Sequence, residues 1–453
     1  MKPDPRLTAI NILRSLESGK RTLDDLVNAS LNRQTLPEKR DRALATALLF
    51  GVLRRRLTLD WVIRQLSTTP FEKIEPDIRT ILRVGIYQIL FMDRIPHYAA
   101  VDSSVNFVKT MADPRLAKYV NGMLRTAIRR RDDLDFPDAS TDPIRWLSVT
   151  RSVPEWMIRR WINRFGRMDT IRLCDRINRV PPITARVNTL KTAYARVRET
   201  LGRETERVEE GRFAPEAVSF YSPKGSVDEL ECFINGWIQV QDEAAQLVCL
   251  MLDPQPGERV LDACAGLGGK TGYIGQLMEN RGRIVAADSD GRKLRALKGE
   301  MDRLGISIVE TRQIDWLKTV PGRMTETFDR VMADCPCSGM GVLRRNPDIK
   351  WTASAQDLLR HQKNQARLLT RLADNVRDGG YLVFVVCSTE PEENEQVVDL
   401  FLNKRRDFYI DRQVNRLETG VRRFIDDRGY FQTTVYPHDL DGFFGVRLKK
   451  KQS

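Results

Sequence analysis

From Ala244 to the C-terminus, short apolar runs rich in β-branched residues alternate with stretches of helical periodicity, and few architectures accept that alternation. The pattern predicts helix 244–252, strand 258–263, helix 269–279, strand 283–288, helix 291–304 and strand 307–311. It continues with strand 329–334, helix 355–376, strand 381–387, helix 393–402 and strands at 430–436 and 443–448. Such a chain folds as an α/β domain around a doubly wound, mostly parallel sheet. In that sheet, ligands bind beyond the carboxyl ends of the strands.

Three predicted strand ends carry chemistry. Val331-Met332-Ala333 runs into Asp334-Cys335-Pro336-Cys337-Ser338-Gly339, an acid followed by two thiols either side of a proline. The run Tyr381 to Val386 ends in Cys387. The third end, Asp262-Ala263-Cys264-Ala265-Gly266-Leu267-Gly268-Gly269-Lys270-Thr271, is rich in glycine, so backbone N–H groups can approach a small ligand closely. A nucleotide-phosphate loop needs glycine five residues before Gly269, and Cys264 stands there. Asp288, at the next strand end, suits a ribose, which keeps a nicotinamide-linked oxidoreductase in play. Asp262, however, would repel a pyrophosphate and favours a cationic nucleoside such as S-adenosylmethionine. Asp315 closes a fourth segment, Thr311-Arg312-Gln313-Ile314.

The rest of the chain has a different texture. Residues 1–140 read as all helix, with apolar residues three and four apart in Ala9-Ile10-Leu13-Leu16, Ala43 to Leu53 and Ile81 to Leu90, and Thr22 with Asp25 suits a helix start. Helices are also expected at Ala100 to Val105 and Lys118 to Arg125. Acidic Asp132, Asp133 and Asp135 and then Pro137 close this part. Residues 141–240 read as a linker with a helix from Trp156 to Phe165, then a small α+β module. The module has strands Thr184 to Asn188 and Ala217 to Tyr221 around a helix Thr192 to Leu201. Residues 241–453 form the third domain. The net charge is +13, yet residues 241–453 are nearly balanced, so the surplus lies ahead of the alternating region. A basic front suits a polyanion such as RNA, with Arg54, Arg55, Arg56, Arg129, Arg130 and Arg131 as candidate phosphate contacts. Seven cysteines with no regular framework argue against secretion, and with three histidines and no Cys-x-x-Cys pair no metal is expected. The absence of a signal-peptide core or a membrane-length apolar run implies a cytoplasmic protein off the membrane.

These motifs resemble those of RNA cytosine-C5 methyltransferases. Asp262 to Thr271 is similar to their Asp-x-Cys-Ala-Ala-Pro-Gly-Gly-Lys-Thr loop, with Gly266 and Leu267 in place of Ala-Pro. Asp334 to Ser338 resembles their Asp-Ala-Pro-Cys-Ser, with Cys335 for Ala. Cys387-Ser388-Thr389-Glu390-Pro391-Glu392-Glu393-Asn394 resembles their Thr-Cys-Ser…Pro-Glu-Glu-Asn, with Val386 for Thr. Arg344 to Trp351 and Asp441 to Phe444 fit as well. Val120-Asn121-Gly122-Met123-Leu124 and the helices around it resemble NusB, an RNA-binding helical bundle. Nearly the whole chain thus resembles bacterial small-subunit ribosomal RNA methyltransferases with a NusB-like front.

The resemblance implies a Rossmann-like S-adenosylmethionine-dependent domain acting on ribosomal RNA, as a monomer. It places Cys264, Ala265, Gly266, Leu267, Gly268, Gly269 and Lys270 around the methionine part of the cofactor, Asp288 on the ribose hydroxyls and Asp315 on the adenine amino group, and counts Asp334 among the cofactor-binding residues as well. Cytosine C5 is a poor nucleophile, and a thiolate adding to C6 turns the ring into an enamine that can take a methyl group. Asp334, Cys337 and Cys387 are the minimum set, the acid binding the N3/N4 edge, one thiol attacking and the other assisting release. Spacing leaves open which thiol attacks; the resemblance implies Cys387. A non-catalytic NusB-like RNA-binding regulator and a methyltransferase of another RNA, such as tRNA, are the alternatives.

Overall fold

The computed structural model describes residues 4–19, 21–111, 114–318 and 324–452. The chain forms two compact units, one of residues 1–178 with 350–352, the other of residues 179–349 and 353–453. Among the described residues no helix is long and apolar enough to cross a membrane. Residues 1–3 of the sequence inspected for a signal peptide lie outside the described residues.

The first unit is helical. Its helices are Pro5–Glu17, Leu23–Ser30, Lys39–Leu66, Pro76–Phe91, His97–Met111, Pro114–Arg129, Pro143–Arg151 and Glu155–Ile177. Asp4 accepts from Arg6 N at 2.8 Å with Pro5 opening the first helix, and Thr22 accepts from Asp25 N, the start read from the sequence. The helix expected from Trp156 runs on past Phe165 to Ile177, broken at Gly166 (φ 77°). Apolar stripes meet in one core that includes Leu13, Leu49, Val52, Val62, Leu82, Ile86 and Leu124. Arg83, buried, bridges Asp60 and Glu17 at 2.6 Å each. The Arg54–Arg56 triplet is half-buried. These guanidiniums lie over Phe50, Phe91 and Trp351, and burial pulls all three below their ordinary value. A cation stacked on an aromatic ring in this way adds a packing contact while its head stays partly in solvent. Arg129, Arg130 and Arg131 stay at the surface, beside Thr126, Asp133 and Asp132.

The second unit has two sheets. The smaller is antiparallel, built from β1 (Ile183–Val187), β2 (Arg207–Glu210), β3 (Ala217–Tyr221) and β4 (Ile238–Val240) in the order β2-β3-β1-β4. Helix Tyr194–Glu204 packs Val197 and Leu201 into its core. The larger sheet contains β5 (Arg259–Asp262), β6 (Arg283–Asp288), β7 (Val309–Gln313), β8 (Phe328–Asp334), β9 (Val376–Val386), β10 (Phe408–Ile410), β11 (Tyr430–Gln432) and β12 (Phe444–Lys450). Its order is β10-β12-β9-β8-β5-β6-β7, with β11 also on β12. Strands β9, β8, β5, β6 and β7 are parallel; β12 and its partners are antiparallel. The doubly wound reading holds, with an antiparallel margin. The helix expected to reach residue 376 stops at Leu372, because the chain turns through Ala373–Asn375 into β9.

Arg186 welds the two sheets. Its fully buried guanidinium donates to Gln241 Oε1 (2.6 Å), Gln239 Oε1 (2.7 Å), Gln276 Oε1 (3.1 Å) and Gly269 O (3.2 Å), and lies over the Tyr273 ring. Burial pulls it down to about 10, and the neutral amide oxygens satisfy its donors without a carboxylate. The small module is thereby anchored beside the glycine loop.

Candidate active site

The register of the large sheet aligns the three strand ends. Asp262 of β5 lies opposite Met332 of β8, and Asp334 of β8 opposite Val385 of β9. Ala263 N then donates to Met332 O and Cys335 N to Val385 O, both at 2.9 Å, so the loops leave the sheet side by side.

The glycine loop is wound over β6. Ala265 N donates to Ala287 O, Gly266 N to Asp288 Oδ2 at 3.0 Å, and Gly268 N to Ala265 O. Gly268 (φ 89°) leads directly into helix Gly269–Leu277, and a Cβ there would lie 2.8 Å from Leu297 Cγ. Cys264 is half-buried and Leu267 projects outward. Asp288 also accepts from Asp290 N at 2.8 Å, and Ile314 N donates to Asp288 O, which brings Asp315 to the neighbouring strand end. Burial pushes the Asp315 carboxyl up, but the Leu317 N–H and Lys318 ammonium outweigh it and leave it below its usual range.

Asp262 is the informative residue of this cradle. Its Oδ2 accepts from Thr271 Oγ1 at 2.7 Å, while its buried Oδ1 has no hydrogen-bond partner among the described residues. Burial pushes the carboxyl up to about 6. A buried carboxylate oxygen without a donor, under a loop of small residues, suits a ligand that brings positive charge, as S-adenosylmethionine does. The residues present fit that group.

Beyond the loop lie the thiols. Cys337 Sγ and Cys387 Sγ are 3.3 Å apart. Lys270, at the end of the glycine loop, reaches across to Asp334, Nζ to Oδ2 at 2.5 Å, with the Phe443 ring 5.4 Å away. Burial pulls Lys270 down, yet Asp334 and the nearby thiols Cys249 and Cys387 raise it above its ordinary value, so it stays charged. The Cys337 thiol is pushed well up by its hydrogen bond to Cys387, by burial and by the Glu393 carboxylate.

Two further groups support the site, and neither was assigned a role from the sequence. Glu393, fully buried, accepts from Ser338 N (2.8 Å), Ser338 Oγ (2.5 Å), Ser388 Oγ (2.6 Å) and Gln365 Nε2 (3.3 Å). Asp441 accepts from Arg344 Nε and Arg345 Nε at 2.7 Å each, and Arg345 also reaches Asp242 at 2.6 Å. These pairs join two stretches read only as motif fragments. Gly341 N donates to Cys387 O and Gly442 N to Gly341 O, a backbone approach so close that a Cβ on Gly341 would lie 1.8 Å from Gly442 O. Lys350, the motif's last charge, belongs to the first unit, where Nζ donates to Arg54 O, Ser152 O and Asn178 Oδ1. Among the described residues no cluster of His, Cys, Asp or Glu could hold a metal ion.

Comparison with known proteins agrees with this arrangement. Residues 249–449 match the family model "16S rRNA methyltransferase RsmB/F", residues 3–129 the NusB family, and residues 153–227 the ferredoxin-like domain of RsmF/B-like methyltransferases. The chain is 34% identical to a probable ribosomal RNA small subunit methyltransferase B of Bacillus subtilis, over 99% of both chains. It is 33% identical to a protein of the same description from Synechocystis, over 98% of this chain and 99% of that one. The crystal structure of PH0851 superposes with a TM-score of 0.82 at 26% identity, covering 99% of each chain. With such relatives matched from end to end, the chain belongs to the RsmB/F family of S-adenosylmethionine-dependent ribosomal RNA methyltransferases.

Proposed function

We propose that the protein methylates C5 of a cytosine in 16S ribosomal RNA through a transient bond between Cys387 and C6. The observation that carries this reading is the thiol pair, 3.3 Å apart and beside the Lys270–Asp334 ion pair. A methyltransferase acting on an oxygen or an exocyclic nitrogen needs no thiol; activation of C5 does.

The roles follow from that chemistry. Cys387 is the nucleophile whose sulfur adds to C6, and the electrons of the C5=C6 bond move to C5. Asp334, paired with Lys270, accepts from the cytosine N4 amino group and stabilises a proton at N3. Bound S-adenosylmethionine supplies an electrophilic methyl group. Asp262 and the Cys264–Lys270 loop would hold its methionine part, Asp288 its ribose and Asp315 its adenine. Once Cys387 is bonded to carbon, Cys337 loses the hydrogen bond that raised it most. It can then give its own proton to solvent water and, as thiolate, accept that of C5, so that elimination restores C5=C6 and expels Cys387 as the thiolate.

The reading has three domains, 1–140, 141–240 and 241–453. The NusB-like part and the small module present structured ribosomal RNA to the third, in the cytoplasm where that RNA is assembled. Bisulfite mapping of 16S ribosomal RNA, from cells with and without the protein, tests it. One cytosine that loses protection in the deletion supports the reading; an unchanged map overturns it.

A further inference from the structure

Each reactive thiol is followed by a serine, and both serines end on one carboxylate. Ser338 donates to Glu393 through its N–H and its hydroxyl, and Ser388 through its hydroxyl, at 2.5 to 2.8 Å. The hydroxyls themselves are 3.4 Å apart. Gln365 Nε2 completes the set, bonding both Glu393 Oε1 and Pro336 O, the carbonyl just before Cys337. Glu393 is fully buried, and the donors that meet it, two serine hydroxyls, the Ser338 N–H and the Gln365 amide, are neutral. Burying a carboxylate in this way is costly and serves poorly as packing alone.

We propose that Glu393 is a positioning residue that sets the separation of Cys337 and Cys387 by clamping the serine after each. The loop after β8 and the loop after β9 share few other ties here, chiefly Cys335 N to Val385 O and Gly341 N to Cys387 O. Without the clamp, either loop can rotate its thiol away from the other while the cofactor cradle, built on β5 and β6, stays intact. The same carboxylate faces Cys337 and favours its protonated form, consistent with a thiol that acts second. The inference rests on the reading that both thiols serve one reaction, but its first readout does not.

That readout is thiol proximity in the full-length protein. Diamide, an azo oxidant, takes two thiol hydrogens to become a hydrazine and leaves a Cys337–Cys387 disulfide, identified by peptide mass spectrometry. Glu393→Ala should slow this crosslink about tenfold and lower kcat for methyl transfer about 100-fold, the scale set by a misplacement of about 1 Å, with KM for RNA unchanged. Glu393→Gln should restore both to within about threefold, since Oε1 can take the Ser338 N–H and Nε2 can donate to the two hydroxyls. Calorimetric S-adenosylmethionine affinity should match wild type in each. If Glu393→Ala fails to fold, Ser338→Ala with Ser388→Ala carries the test and should slow the crosslink similarly. A wild-type crosslinking rate in Glu393→Ala or in the double variant overturns the clamp. Equal impairment of Glu393→Ala and Glu393→Gln also overturns it, by showing that charge alone matters. Normal crosslink effects in an enzyme that forms no RNA adduct would refute the covalent reading and leave the clamp standing.

Discussion

Replacing Asp262 with asparagine should stabilise the cofactor-free protein while weakening it as an enzyme. Burial holds the Asp262 carboxyl at about 6, against an ordinary 3.8. At about 1.4 kcal/mol per pH unit, keeping it ionised at neutral pH costs roughly 3 kcal/mol. Asparagine removes that cost and can still accept from Thr271. It leaves an amide N–H where Oδ1 has no partner, which costs about 1 kcal/mol. The net gain is about 2 kcal/mol, or roughly 4–8 °C in the melting temperature of a domain this size. Because the folded-state value is raised, the native protein holds this proton more tightly than the unfolded chain. The wild type therefore loses stability as pH rises from about 4 through 6, and the variant lacks that loss. Calorimetric melts without cofactor should show Asp262→Asn more stable at pH 7.5 and no more stable at pH 4. Saturating S-adenosylmethionine should raise the wild-type melting temperature more than the variant's, because only the wild type offers a carboxylate to the cation. A stability difference that does not change with pH would refute the argument.

The other predictions concern the remaining parts of the site. Cys387→Ala should abolish both methyl transfer and any covalent RNA adduct, whereas Cys337→Ala should methylate once and stall as an RNA-linked species on denaturing electrophoresis; the reverse pattern would assign the attack to Cys337. Asp288→Ala, which removes the acceptor for Gly266 N and Asp290 N, should weaken S-adenosylmethionine by about 2 kcal/mol in calorimetry and leave RNA affinity unchanged. Gly341→Ala sets a methyl group against the Gly442 carbonyl and should lower stability by about 3 kcal/mol in chemical denaturation, since both atoms belong to backbones that are hydrogen-bonded to each other.

Much of this protein is determined locally, and the sequence by itself shows it. The C-terminal halves of the parallel strands β5, β6, β8 and β9 are buried on both faces, so they appear as short apolar runs, and their chemically distinct ends appear with them. The thiols, the glycine loop and Asp288 were legible for that reason. Strands set by their neighbours were not. β2 is a polar, mostly exposed edge (Arg-Val-Glu-Glu), and β4 and β10 are three residues each, too short to show a period. Strand β7 begins at Val309 rather than residue 307 because pairing with β6, not composition, sets its register. Contacts across the fold were invisible for a deeper reason. Lys270 meets Asp334 from 64 residues away, Cys337 meets Cys387 from 50, and Ser338 reaches Glu393 from 55. Periodicity reports which face of an element is buried; only the order and stagger of the strands decides which loop ends lie side by side. That the Arg54, Arg55 and Arg56 guanidiniums lie over aromatic rings is decided the same way, by what packs beside them.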